Sequence, residues 1–216
     1  FYSDPAVRQR LVEYLGGESL GSATAVFVTH SDGCLFQRSE LHPPADLQSL
    51  LDRELDIARS LADRDSLLFH LDIEYVNFDD PAAAYLNPHR AFALQEPVVR
   101  VIEELLLKWG IRPLHLITGQ GHHFVWRIGS GSDLAQRIAA LAPAPDLAAA
   151  CHGRAGEGPA SSIGAEMQRG FTAIALLMEY FAHRIKWLAA PLSELPVEIT
   201  AVHVGPGESM RREIVS

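Results

Sequence analysis

Apolar positions along this chain follow two rhythms. At 98–107 (VVRVIEELLL) and 171–188 (FTAIALLMEYFAHRIKWL) they recur every three or four residues, the stripe of an amphipathic helix. At 23–29 (ATAVFVT), 67–74 (LLFHLDIE), 113–117 (PLHLI) and 122–128 (HHFVWRI) they come in short runs bounded by Gly, Pro or polar clusters, which reads as strands. The spacing predicts a helix over 5–16, opened by Pro5 and closed by Gly16-Gly17, and another over 44–63. The 98–107 stripe should belong to a helix running from Pro97 to a stop at Gly110, and the later stripe to a long helix over 163–188. A short helix is expected within SGSDLAQRIAALAP, a turn at 30–33, a loop or lid at 143–162, and a hairpin joining 196–204 to 211–215 around Gly205-Pro206-Gly207. No internal repeat is visible. Strand, helix, strand, helix and then an antiparallel pair imply an α+β fold, a mixed and mainly antiparallel sheet flanked by helices, in a single domain spanning 1–216.

Composition narrows the class. The chain is 48% hydrophobic and 21% charged, ordinary for a globular protein, and it has no apolar run of the ~18 residues a membrane helix needs. The start, FYSDPAVRQR, lacks both the basic region of a signal peptide and an initiator Met, and the end, REIVS, stops in a strand-like stretch; the expectation is a piece of a longer cytoplasmic protein. Cys34 and Cys151 sit in unlike contexts with no CxxC spacing, as reduced thiols would. The net charge of −9 changes the picture more, because a protein gripping long duplex DNA is usually basic. Any nucleic-acid contact should therefore be local, metal-assisted or shared with another domain.

The stretch LLFHLDIEYVNFDD raises the chemical question. Alternation along a strand puts Asp72 and Glu74 on one face and Ile73 on the other. Two adjacent carboxylates repel, and burying either is costly, unless a divalent cation sits between them or the strand simply emerges into water. Mg²⁺ and Mn²⁺ prefer such oxygen ligands and leave positions open for water and phosphates. A second constellation follows at 116–126 (LITGQGHHFVW): strand, tight turn over Thr118, Gly119, Gln120 and Gly121, second strand. Glycines there would let the backbone approach a ligand, and successive N–H groups could form an anion nest for a triphosphate. His122 and His123 must point to opposite faces, so one of them can serve a site. A plain hairpin with one satisfied histidine accounts for the same letters.

Taken together, a strand ending in Asp-x-Glu, a helix, and a strand–Thr-Gly-x-Gly-x-His–strand unit resemble the archaeo-eukaryotic primase superfamily, over about residues 67–128. The resemblance implies a primase catalytic-core-like fold with an RRM-like half. It implies that Asp72 and Glu74 hold catalytic Mg²⁺ or Mn²⁺. It also implies that Thr118, Gly119, Gln120, Gly121 and His123 hold the phosphates of a nucleoside triphosphate. The family's third acid falls on Glu198 in PVEITAV, with Glu213 in RREIV second and a position past Ser216 third; Arg211 and Arg212 would add phosphate contacts if their strand lies beside the site, and are otherwise a solvated pair. The implied activity is nucleotidyl transfer to a nucleic-acid 3′-hydroxyl on a DNA or RNA template or primer, with replication or repair partners and no membrane. Two other readings stay open: a catalytically silent nucleotide- or nucleic-acid-binding relative, and a metal-dependent nuclease or phosphoesterase drawing ligands from His70, His89, His115 and His152.

Overall fold

Among the described residues the strand-like runs assemble into two sheets, one of three strands and one of four. The structure, a computed structural model, describes residues 3–29, 41–53, 55, 57–141, 165–199 and 213–216. The chain divides into two compact units, Phe1–Leu68 with Arg127–Ala175, and Phe69–Trp126 with Leu176–Ser216. The expected turn at 30–33, the expected lid at 143–162, Arg211, Cys34, Cys151 and His152 lie outside the described residues.

In the first unit, helix α1 (Pro5–Tyr14) starts as its sequence dictates: Asp4 caps it by accepting from the Ala6 N–H at 2.8 Å, and Pro5 occupies the first turn, where its missing N–H costs nothing. Strand β1 (Ala25–Thr29) is central, with β2 (Leu41–His42) and β3 (Ile57–Asp63) antiparallel on either side. The helix expected over 44–63 is confined to a 3-10 turn at Pro44–Asp46 and α2 (Leu47–Asp52). Leu47, Leu50 and Leu51 are spaced for one helical face and are buried with Val12, Leu15, Ala25 and Phe27. The next apolar residues are instead drawn into β3, pairing with β1 through Phe27↔Arg59 and Thr29↔Ile57. Arg59 then donates to the Tyr14 carbonyl at 2.9 Å and pairs with the buried Asp63, contacts that a four-residue spacing on one strand face allows and that outweigh a weak helix preference. Helix α5 (Asp133–Ala139) is capped by Ser132, whose hydroxyl accepts from Ala135 N–H at 3.1 Å.

The second unit carries the four-stranded sheet, ordered β5 (Leu114–Ile117), β6 (Gly121–Gly129), β4 (Ser66–Asn77), β7 (Glu213–Val215), with antiparallel neighbours. Strand β4 leads through a short helix α3 (Ala83–Leu86) and α4 (Pro88–Lys108) to β5, while β6 inserts between β4 and β5. A second long helix, α6 (Ala165–Ala189), precedes β7, completing a β-α-β-β-α-β order with the first strand inside the sheet. One sheet face is covered by α4 and α6: Leu71, Ile73, Phe124, Val197 and Val215 pack against Val98, Val101, Ile102, Leu105, Phe181 and Ile185. Each such side chain contributes about 1.5–3 kcal/mol by leaving water.

Helix α4 begins nine residues before the expected Pro97. Asn87 caps it by accepting from Arg90 N–H at 3.2 Å, Pro88 takes the first position, and Pro97 sits inside the helix. The lost backbone bond is tolerated because the stripe from Ala91 to Leu106 is buried on both sides of the proline. The stop at Gly110 is as expected: φ is +72°, Gly110 N–H reaches Leu107 O at 3.0 Å, and Ile111 N–H reaches Leu106 O at 2.8 Å, which closes the helix as a Schellman motif. At the described ends of the hairpin expected between 196–204 and 211–215, Val197 meets Val215 in the parallel sense, where a hairpin would pair them antiparallel; residues 200–212 lie outside the described residues. Among the described residues no helix is long and apolar enough to cross a membrane.

Candidate functional site

The alternation of β4 places its acids. Leu71, Ile73 and Tyr75 are 9%, 3% and 2% exposed, pressed toward the helices, which sends His70, Asp72 and Glu74 to the opposite face. On the neighbouring β6, His122 and Phe124 turn inward and His123 turns to the acids' face. His123 Nε2 lies 3.0 Å from Asp72 Oδ1, and the His70 ring stands edge-on to the His123 ring, centroids 4.7 Å apart. Asp72, Glu74 and His123 therefore share one face, as the alternation requires. His70 joins them.

The electrostatics of this face are strained. Burial raises the Asp72 carboxyl above its ordinary range and Glu74 adds to the rise, while His123 pulls it back. His70 is lowered, first by burial and then by the neighbouring His123. An ionised Asp72 is thus disfavoured by the fold as it stands, and a bound cation would reverse that sign. Two carboxylates one residue apart suit the way Mg²⁺ or Mn²⁺ is held at phosphoryl sites, by one or two carboxylates with substrate oxygens completing the shell. Among the described residues, however, no group of three or more His, Cys, Asp or Glu is arranged to hold a metal by itself.

The candidate third acids sit differently. Glu198 lies beside β7, its N–H bonded to Val215 O at 2.8 Å, and it lines a cavity of about 230 Å³ together with Asp72, Glu74, Ser216 and apolar residues of β4, α4 and α6. Its carboxylate accepts from Lys186 Nζ at 2.6 Å. Glu213 is a structural tie: Arg90 grips both its oxygens at 2.7 and 2.8 Å, and Tyr75 and Asn77 donate to it as well. The Arg90 guanidinium, then the Tyr75 hydroxyl, hold Glu213 down at about 2. Of the other histidines, His89 is exposed on the first turn of α4. His115 is on the helix side of the sheet, with Nε2 2.9 Å from His122 Nδ1. His122 is lowered by burial and then by His115.

The turn between β5 and β6 closes on itself. Thr118 N–H donates to Gly121 O at 2.9 Å, and Gly121 N–H donates back to Thr118 Oγ1 at 3.1 Å. Neither Gly119 nor Gly121 has a positive φ, so the glycines are not there for a left-handed nest. They are there for closeness to the protein itself. A Cβ on Gly121 would stand 1.9 Å from Ile73 O and 3.0 Å from Glu74 Cα, and one on Gly119 would meet the Tyr85 ring at 2.9 Å. The turn is pressed against β4 at the acid pair. Gln120 O is held twice, by Tyr75 N–H at 3.2 Å and by Gln95 Nε2 at 3.0 Å. Gln95, on α4, is fully buried, and its Oε1 has no partner among the described residues, a loss of about 1–3 kcal/mol. Reading the sequence did not single it out, although a glutamine inside the apolar stripe Ala91, Leu94, Val98, Ile102 was the visible signal. No family model, curated protein or solved structure matches this chain.

Proposed function

We propose that the chain is a metal-dependent nucleotidyltransferase of the primase type. The observation that carries this reading is the meeting of Asp72 and His123 at 3.0 Å on a sheet face that also bears Glu74, with the glycine turn running directly into His123. In this reading Asp72 and Glu74 hold Mg²⁺ or Mn²⁺, which when bound neutralises the triphosphate and the attacking 3′-oxygen. With Nε2 held by Asp72, the His123 ring in its imidazolium form would donate from Nδ1 to a phosphate oxygen. The N–H groups of Gly119 and Gln120 at the tip of the turn make no hydrogen bond among the described residues and are free to do the same. A primer 3′-hydroxyl forms the new bond to the α-phosphorus as its proton passes to solvent, the bond to the leaving pyrophosphate breaks, and catalysis rests on positioning and charge stabilisation. With a net charge of −9, the grip on template and primer is short or shared with a partner.

Two observations favour a second reading. Glu198 is engaged by Lys186, and no three-donor group stands ready among the described residues, as in a relative that binds nucleotide without incorporating it. Primer extension with Mn²⁺ and labelled nucleotides separates the two. Extension by the wild type that Asp72→Asn abolishes supports the transferase. Mn²⁺-dependent nucleotide binding without extension supports the silent relative, and neither binding nor extension removes both.

A further inference from the structure

The apolar face of α4 contains one side chain that packing alone does not call for. Gln95 is 0% exposed, between Ala91 and Val98, where a leucine or methionine would bury the same volume with no polar atom to satisfy. Its Nε2 donates to Ala91 O, one turn back, at 3.1 Å and to Gln120 O at 3.0 Å. Both partners are carbonyl oxygens, so the amide can face only one way: nitrogen toward them and Oε1 toward nothing among the described residues. An orphaned acceptor in a fully buried place is tolerated where the donor on the same group does something no apolar residue can.

What the donor does is hold the turn. Gln120 O receives one bond from β4, through Tyr75 N–H, and one from α4, through Gln95. Gly121 removes the Cβ that would keep the turn off Ile73 and Glu74. Helix, turn and acid-bearing strand are thereby fixed to one another at a single carbonyl. We infer that Gln95 is a positioning residue for the nucleotide site: from the far side of the sheet it pins the Thr118–Gly121 turn, and with it the Gly119 and Gln120 N–H groups and the start of the His123 strand, at a set distance from Asp72 and Glu74. This inference rests on the transferase reading for its consequence, though not for its geometry.

The test uses the whole chain and the near-isosteric Gln95→Met, with Gln95→Leu beside it. In the wild type, the Gln95 side-chain amide protons should be protected from hydrogen exchange by NMR. In Gln95→Met, which should melt at or above the wild-type temperature because the orphan is gone, the Gly119, Gln120 and Gly121 amide resonances should shift. The KM for the nucleoside triphosphate should rise about tenfold with kcat little changed, equivalent to about 1.4 kcal/mol. An unprotected Gln95 amide overturns the inference even if neither variant folds. So do turn amides that do not move in a folded variant, or an unchanged KM. A wild type that binds no nucleotide removes the transferase reading, while the exchange and amide-shift results still decide the pin.

Discussion

Gly121→Ala probes how tightly the turn sits on the acid-bearing strand. The new methyl would lie 1.9 Å from Ile73 O and 2.9 Å from Ile73 C, and both are backbone atoms that no rotamer change can withdraw. Reaching an ordinary C···O contact of about 3.3 Å needs an opening of about 1.4 Å between β6 and β4. That opening would stretch the Tyr75 N–H to Gln120 O bond, already 3.2 Å, beyond hydrogen-bonding distance. It would also part His123 from Asp72. Overpacking of this kind costs about 1–3 kcal/mol and the stranded backbone groups add about 1 kcal/mol or more, giving about 2–4 kcal/mol in all. For a chain of this size that is on the order of 5–15 °C in melting temperature. Gly129→Ala is the control, since its added Cβ meets nothing within 4 Å and should change stability by less than about 0.5 kcal/mol. Scanning calorimetry of the two variants decides it. A Gly121→Ala protein that melts with the wild type would mean that the turn does not rest on β4, and the fixed geometry between turn and acids would go with it.

Asp72→Asn should leave the melting temperature unchanged or slightly higher, because burial and Glu74 already disfavour the ionised form, while Mn²⁺-dependent nucleotide affinity measured by titration calorimetry falls by about 100-fold or more; normal binding would mean the acid pair is not the site. His123→Ala should weaken nucleotide binding more than His122→Ala does, whereas His122→Ala, made in a buried position beside Phe92 and His115, should cost more in denaturant stability; a reversed ranking would put the wrong histidine on the acids' face. For the Arg90–Glu213 tie the sign follows from the depressed carboxylate: its contribution is complete above the usual value of 4.5 and is lost as pH falls toward about 2. The shift sets a ceiling of about 3 kcal/mol, but Arg90 is 47% exposed, so solvent reduces the contribution to about 1 kcal/mol. Arg90→Met should accordingly flatten acid unfolding between about pH 4.5 and 2, read by circular dichroism, and an unchanged acid profile would mean the pair contributes nothing.

The placement of the candidate site's side chains on one face could be read from the letters because strand alternation is a rigid rule. Once 67–74 and 122–128 are strands, Asp72 with Glu74, and His123 away from His122, follow from a period of two, and the structure puts Asp72 against His123. The Gly110 stop was legible for a similar reason, since a positive φ at a helix end has few other solutions. What escaped depended on distant partners. The segment 57–63 becomes a strand because β1, some thirty residues earlier, lacks a neighbour on that side, and no local window contains that fact. Pro97 signals a helix start on its own, and only the Asn87 cap and the burial on both sides of it override that signal. The glycines of the turn were visible, but what they make room for was not: Ile73 O and the Tyr85 ring. Glu213 was legible as an acid on a strand, but its guanidinium partner comes from 123 residues away.

The central claim is that Asp72 and Glu74 share a divalent cation in front of His123. Paramagnetic broadening by Mn²⁺ tests it most directly, using ¹⁵N-labelled protein with a non-hydrolysable nucleoside triphosphate and Mn²⁺ added well below stoichiometry. The account predicts that amides over 70–75 and 118–124 broaden first and together and that Asp72→Asn abolishes the effect. Broadening centred elsewhere, such as at Asp79 and Asp80, or spread evenly over the acidic surface, would contradict it.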